Sequence, residues 1–313
     1  NCVISAPTLE SVYEVPIMLY EEGLADIIAD AFSISKLDWD IEYWEKFVSL
    51  IKAPKNAIKV GIVGKYVDFH DAYISVKEAL VHAGFFHEYD IDVAWINSED
   101  INSNNADDYL GDLSGIVVPG GFGPRGVEGM IETVSFAREN KIPYFGLCLR
   151  MQVMVIEVSR NLLNKPKANS TEFDKDTPDP VIDLMIEQRN IKELGGTMRL
   201  GVYECVLSEK TKVAEFYGLE SVFERHRHRF EFNNDYKDPL REVGLIASGQ
   251  SPDGLLVEVM ELEGHPFMIG TQFHPEFLSR PDSPHPLFRE FVGTAIKTML
   301  HGSQHEMEME SLG

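Results

Sequence analysis

"YFGLCLRMQVMV", Tyr144 to Val155, decides how the rest of the chain is read. The run from Ile142 to Leu147 is rich in β-formers and ends at Cys148, and a helical pattern opens at once after it. A short apolar strand running straight into a helix is one half of an α/β crossover. A thiol at that junction sits where α/β enzymes place a nucleophile, held out on strained backbone. The start of a helix also favours an anion, and therefore the thiolate form. A lone cysteine is more often buried and inert, so other parts of the chain must decide. Two places after the cysteine stands Arg150, where a tight turn of this kind takes a small residue.

Outward from this stretch the same alternation recurs. "KVGIVGKY", "IDVAWI" and "GIVVPGG" read as strands, with the helices "DAYISVKEALVHAG" and "VEGMIETVSFAREN" among them. In the first helix Asp71 is the expected N-cap, Tyr73, Val76, Leu80 and Ala83 form one face, and Gly84 ends it. The pattern predicts an α/β fold with a mostly parallel central sheet flanked by helices. Later strands, "LGVYECVL", "EVGLIASG", "LLVEVMEL" and "FMIGTQF", include antiparallel additions, and a closing helix runs through "HPLFREFVGTAIKTML". Residues 165–183 are polar and Pro-rich and predict a surface loop. Residues 1–53 read as helical segments, "KAPKNA" has a linker's composition, 58–300 form the α/β domain, and 301–313 are a polar tail expected to be disordered.

Two further features bear on chemistry. "QFHPEF" places His274 and Glu276 just past a β-rich run. Their i, i+2 spacing puts both side chains on one side of an extended segment, where a carboxylate can orient an imidazole that shuttles a proton. "VVPGGFGPRG", Val117 to Gly126, is a Gly-rich stretch after a strand. Its backbone N–H groups can approach a ligand closely. The N–H groups of Gly121 and Leu149 could face a developing oxyanion. No G-K-[ST] follows, so the stretch is not a phosphate-binding P-loop.

Composition bounds the alternatives. The 313 residues suffice for about two domains. With 28 basic and 51 acidic residues the net charge is −23, which argues against a nucleic-acid or anionic-membrane partner. The three cysteines, Cys2, Cys148 and Cys205, are too few and too far apart for a disulfide framework or a zinc site, so no metal is expected. No apolar run is long enough to span a bilayer. The N-terminal stretch carries Glu10 and Glu14 and lacks a signal-peptide pattern, which with reduced thiols predicts a cytoplasmic protein. The chain opens without an initiator methionine, as expected of a piece of a longer protein.

Together the Gly-rich strand end, the Cys at the turn and the later His-x-Glu resemble a class I, triad-type glutamine amidotransferase. The stretches "GGFGPRGVEGM", "ANSTEF", "GGTMRLG" and "ERHRHRFE" narrow the resemblance to the branch that aminates UTP to CTP. The resemblance implies that residues 58–300 are the glutaminase domain, and that 1–53 are the end of a synthetase domain and a connector. It implies that Cys148 attacks glutamine to form a glutamyl thioester, His274 shuttles the proton and Glu276 orients it. It implies that Gly121 and Leu149 line the oxyanion site, that Arg150, Met151 and Gln152 lie in the glutamine-contacting stretch, and that Glu172 and Arg229 hold the amino-acid end of glutamine. A carboxylate for the ammonium and a guanidinium fork for the carboxylate fit in charge. ATP and Mg would belong to the synthetase part, and no cofactor to this chain. GTP would be an activator, with Arg125 as a contact, and the full-length protein a homotetramer.

The pattern at the turn is G-x-C-x-G-x-Q in that family. Here Gly146, Cys148 and Gln152 are present and Arg150 stands at the second glycine. Overpacking a tight site costs roughly 1–3 kcal/mol, and a misplacement of about 1 Å can cost on the order of 100-fold in rate. The expectation is an intact fold, with the arginine stem extended and its charge in water, and impaired hydrolysis. Glu172, Arg229 and the His-x-Glu pair favour glutamine over the substrate of another cysteine hydrolase of this fold. An active glutaminase and a regulatory pseudo-glutaminase remain open at this point.

Overall fold

The computed structural model describes residues 3–35, 40–53, 55–184 and 198–311, with side chains to residue 300. "GGTMRLG" therefore lies partly outside the described residues. The chain divides into two compact units, Asn1–Asn56 and Ala57–Gly313. The first carries three helices, α1 (Val15–Glu21), α2 (Leu24–Phe32) and α3 (Ile41–Lys52). A capping box between Ser11 and Glu14 opens it, and Trp44 donates its indole N–H to the Tyr13 carbonyl at 2.8 Å.

The second unit is built on strands β1 (Asn56–Gly64), β2 (Tyr89–Asn97), β3 (Gly115–Val118) and β4 (Tyr144–Leu147). Its helices here are α4 (Ile74–His87), α5 (Ala106–Leu110), α6 (Val127–Asn140) and α7 (Leu149–Asn161). β5 (Ala168–Ser170), β6 (Asp179–Leu184), β7 (Arg199–Leu207), α8 (Lys212–Tyr217), β8 (Ser221–His228) and β9 (Phe230–Phe232) follow. α9 (Lys237–Glu242), β10 (Leu245–Gln250), β11 (Val257–Leu262), β12 (Met268–Thr271) and α10 (Pro286–Ser311) complete it. Nine strands form one sheet in the order β2-β1-β3-β4-β12-β11-β10-β7-β8, and β5-β6-β9 form a second. The pairs β1–β3, β3–β4 and β4–β12 are parallel. From β12 outward, β11, β10, β7 and β8 add in antiparallel fashion.

The central strands are buried on both faces, as uninterrupted apolar runs should be in a parallel sheet. Alternate residues feed two cores. Ile116, Val118, Tyr144 and Met268 face α6 and α7. Val117, Phe145, Leu147 and Ile269 face α4 and α10, where Phe145, Phe267, Phe288 and Phe291 pack mostly edge to face.

Several expectations are corrected. α4 does not start at an Asp71 cap or end at Gly84: a 3-10 turn occupies His70–Tyr73, and the helix runs on to His87. Gly84 is buried where a Cβ would lie 2.6 Å from the Tyr89 carbonyl, so its place is set by packing. The stretch 165–183 is not all loop, because β5 and most of β6 fall in it and pair in the small sheet. α10 carries its helical backbone to Ser311, into the tail expected to be disordered; Glu and Met there are good helix formers.

One close approach sets α7 on the sheet. A Cβ at Gly270 on β12 would stand 2.8 Å from Met151 Cα and Cβ, backbone that cannot swing away. Gly270→Ala should therefore lower stability by about 1–3 kcal/mol, the usual range for overpacking. Urea denaturation with an unchanged midpoint would contradict this packing.

Candidate active site

Cys148 is the residue between β4 and α7, with φ 54° and ψ −110°. That conformation is strained for any residue with a side chain. It is held from below, where the Cys148 N–H donates to the Thr271 carbonyl of β12 at 2.6 Å. The turn places the thiol beyond the carboxyl ends of the parallel strands, where open α/β sheets bind ligands. Leu149 opens α7, so its N–H is one of the helix's orphan donors.

His274 follows β12 directly and meets the same point. A Cβ at Gly120 would lie 2.8 Å from His274 Cε1 and 3.5 Å from Cys148 Cβ, so both flank one glycine. The His274 backbone N–H donates to the Arg225 carbonyl at 2.8 Å, and its Nδ1 meets Glu276 Oε1 at 2.7 Å. Burial penalises a charged His274, but the electrostatic interaction with Cys148, the hydrogen bond to its sulfur and then Glu276 outweigh burial and raise it to about 11. The geometry is that of a nucleophile, a proton carrier and an orienting carboxylate.

A pocket of about 540 Å³ opens over Cys148. Gly121, Leu149, Gln152, Glu172, Arg229 and His274, all named from the sequence, line it. Glu172 accepts from the Gly123 N–H at 2.7 Å, which ties it to the Gly-rich loop. Gln152 donates to the Phe230 carbonyl and to Gln272 Oε1, both at 2.9 Å. The pocket thus holds an acid and a guanidinium as well as the thiol. A cavity of about 570 Å³ among α1–α3 is walled by apolar side chains and, among the described residues, holds no cysteine or histidine.

Met151 and Arg150, expected in the glutamine-contacting stretch, do not line the pocket, and Arg125, expected as a GTP contact, lies outside it. Met151 is buried against β12. Arg125 pairs with Glu99 at 2.7 Å, donates to the Lys65 carbonyl at 3.2 Å and lies over the Tyr66 ring. Arg150 does not reach water. It is fully buried, and its Nε and both terminal nitrogens have no hydrogen-bond partner among the described residues. One terminal nitrogen lies 3.0 Å from where a Gly121 Cβ would be, directly behind the Gly-rich loop. Snorkelling fails because α7 turns this side chain inward under the loop. Burial pushes the Arg150 guanidinium down from its usual value. Burial, then the charges of Arg150 and Arg125, lower the Lys65 ammonium to about 8.

Sequence reasoning missed Gln272, Arg227 and Lys65. Gln272 Nε2 donates to Cys148 Sγ at 3.7 Å, and Sγ also faces the Arg227 carbonyl at 3.7 Å. Gln272 stands two before His274, where the i, i+2 rule applied to His274 and Glu276 would have pointed to it; Pro275–Phe277 itself forms a 3-10 turn, so Glu276 meets His274 through that turn and not along an extended segment. Lys65 donates to the Phe122 and Gly123 carbonyls and braces the loop; nothing local in its sequence signals this.

A fold with this thiol turn and this His-Glu pair defines a class. The sequence profile described as "Glutamine amidotransferase class-I" matches residues 68–294. The chain belongs to the class I glutamine amidotransferases. Within that class its relatives are CTP synthases. It is 52% identical over 309 residues to a CTP synthase of Dehalococcoides mccartyi, covering 99% of this chain and 57% of that protein. It is 53% identical over 298 residues to one of Carboxydothermus hydrogenoformans, covering 95% and 56%. The solved glutaminase domain of Trypanosoma brucei CTPS with bound acivicin aligns at TM-score 0.72 and 38% identity, over 77% of this chain and 94% of that one. The chain thus spans a little over half the length of the CTP synthases it matches.

The charged state of His274 is open to a direct test. Its folded value lies above the ordinary 6.5, so the charge stabilises the fold fully below about pH 6.5 and stops doing so as pH rises through about 11. His274→Gln should melt below the wild type at about pH 6, with the gap closing above about pH 10. A gap that stays constant across that range would contradict a charged His274.

Proposed function

We propose that this chain hydrolyses the side-chain amide of glutamine and supplies the ammonia for ATP-dependent amination of UTP to CTP. The observation that carries the reading is the Cys148–His274–Glu276 constellation at a strained strand-helix turn, facing a pocket with Glu172 and Arg229. Arg229 takes the α-carboxylate of glutamine and Glu172 its ammonium. The Cys148 thiolate attacks the amide carbon, and the oxyanion is met by the N–H groups of Gly121 and Leu149. His274, oriented by Glu276, protonates the leaving nitrogen, so ammonia departs and a glutamyl thioester remains. His274 then takes a proton from the water that releases glutamate. Gln272, donating to Sγ, steadies the thiolate.

The amination of UTP, its ATP and Mg, a GTP activator and a homotetramer belong to the proposal through the CTP synthase relatives, whose remaining length this chain does not cover. Arg125 is proposed as a GTP contact because it lies half-exposed over Tyr66 at the outer edge of the Gly-rich loop. A cytoplasmic location is also proposed; among the described residues no helix is long and apolar enough to cross a membrane.

We further propose that Arg150 impairs the reaction without unfolding the domain. The burial of its guanidinium supports this in a specific way: the penalty falls on the Gly121 loop and on an unpaired buried charge, and Arg150 is not among the residues lining the pocket. An uncompensated buried ion costs several kcal/mol. Loss of one aligned oxyanion donor costs about 100- to 1,000-fold in kcat. Ammonia release from glutamine, measured on the wild type, Cys148→Ala and Arg150→Gly, tests both parts. Cys148→Ala should abolish it. Arg150→Gly should raise kcat/KM at least about tenfold, about 1.4 kcal/mol, and raise the melting temperature. Residual turnover in Cys148→Ala equal to the wild type would sink the mechanism, and equal rates in wild type and Arg150→Gly would sink the impairment.

A further inference from the structure

Arg229 occupies an unusual place in the fold. β8 belongs to the nine-stranded sheet and β9 to the three-stranded one, and Arg229 is the single residue between them. The chain changes sheet at the residue that faces the pocket. A long side chain on such a bend is only as well placed as the bend itself.

Two buried side chains bracket it. His228 Nδ1 and Glu231 Oε1 lie 3.2 Å apart across the change of sheet, close but off ideal hydrogen-bond alignment. They are 6% and 4% exposed, and neither Glu231 oxygen has another partner among the described residues. On the far side of His228 the row continues. His228 Nε2 is 3.0 Å from His226 Nδ1, and Glu258 Oε2 is 3.5 Å from that same nitrogen. Arg199 ends the row, donating to Glu258 Oε1 at 2.6 Å. Gln152 on α7 holds the Phe230 carbonyl between the two bracketing residues.

Charge decides what kind of contact this is. Burial, then Glu258, pushes Glu231 well above the carboxylate range. Burial, then Arg199, lowers His228 to about 3, and burial, then His228, lowers His226 to about 2. Asp183 pairs opposite Glu231 from β6 and adds a like charge if Glu231 ionises. A carboxylic acid beside a neutral imidazole donates its O–H to Nδ1, and Nε2–H can then donate to His226. His226, His228 and Glu258 also carry ligand atoms within 4.8 Å of one another, the spacing of a metal site. The cation at Glu258, however, is already the Arg199 guanidinium.

We propose that Glu231 and His228 are positioning residues for Arg229: one proton held between them closes the bend between the sheets and fixes the guanidinium where the α-carboxylate of glutamine binds. The inference rests on the reading of Arg229 given above. Neither residue touches the reacting atoms. Their effect is on recognition of one end of the substrate.

The test is calorimetric binding of L-glutamine, and of its α-carboxamide analogue, to the whole chain carrying Cys148→Ala so that glutamine is not consumed. Glu231→Ala in this background should weaken glutamine at least about tenfold and leave the already weak analogue unchanged. Glu231→Gln, whose amide N–H can donate to His228 Nδ1, should stay within about twofold of the parent. His228→Phe, which keeps ring volume and removes Nδ1, should copy Glu231→Ala and serves if that variant does not fold. Equal glutamine affinity in Glu231→Ala and the parent would overturn the proposal. So would Glu231→Gln as weak as Glu231→Ala, equal losses for both ligands, or a stoichiometric divalent metal in the purified chain. A parent that binds no glutamine would sink the pocket reading itself, and the inference with it.

Discussion

The strained backbone at Cys148 is what the rest of the second unit serves. Its φ of 54° and ψ of −110° would relax if the residue were free. Three constraints prevent that. β4 is held between parallel neighbours β3 and β12, the Cys148 N–H is taken by Thr271, and α7 cannot lift because it packs directly on Gly270. The same β12 strand that clamps the turn continues into Gln272 and His274, so Cys148 and His274 are set by one pair of strands. Precision here comes from rigid elements, while the Gly-rich loop is braced by Lys65 and the β8–β9 bend is flanked by His228 and Glu231.

Arg150 is the point at which packing and chemistry pull apart. The helix geometry that aims Cys148 outward also turns position 150 inward, under the Gly121 loop. A glycine there leaves the loop free to lie close. An arginine puts a guanidinium without partners beside Lys65, which is itself lowered by burial and by this neighbour. Of the ionisable groups that act on it, Tyr73 and Tyr144 are pushed up by burial and stay neutral, which leaves Cys148 and Glu172. A cation at this point also lies behind the place where negative charge develops during attack. In the proposed mechanism a crowded Gly121 loop would slow attack and a nearby cation would favour it, so the two act in opposite directions on the rate.

How much was legible in the sequence follows from range of interaction. β3, β4 and β12 were readable because strands buried on both faces are uninterrupted apolar runs. The candidate triad could be named because Cys148 and His274 follow the ends of β4 and β12, each with its own local signature. The small sheet was missed because its strands β5 and β9 have three residues each and are held by partners far away in sequence. The burial of Arg150 was missed for a related reason. An arginine on an isolated helix is expected to snorkel, and only Gly121, Lys65 and Tyr144, brought from other elements, close the exit. The His228–Glu231 contact was invisible in "ERHRHRFE", which as a motif reads equally well as a solvated basic strand.

The account turns on Cys148 being a nucleophile directed at glutamine. Incubation of the chain with an electrophilic glutamine analogue, followed by intact and peptide mass spectrometry, measures this most directly. The account predicts one adduct per chain, on Cys148, slowed by excess L-glutamine and lost in His274→Ala. Labelling confined to Cys205, or labelling of Cys148 that glutamine does not slow, would contradict it.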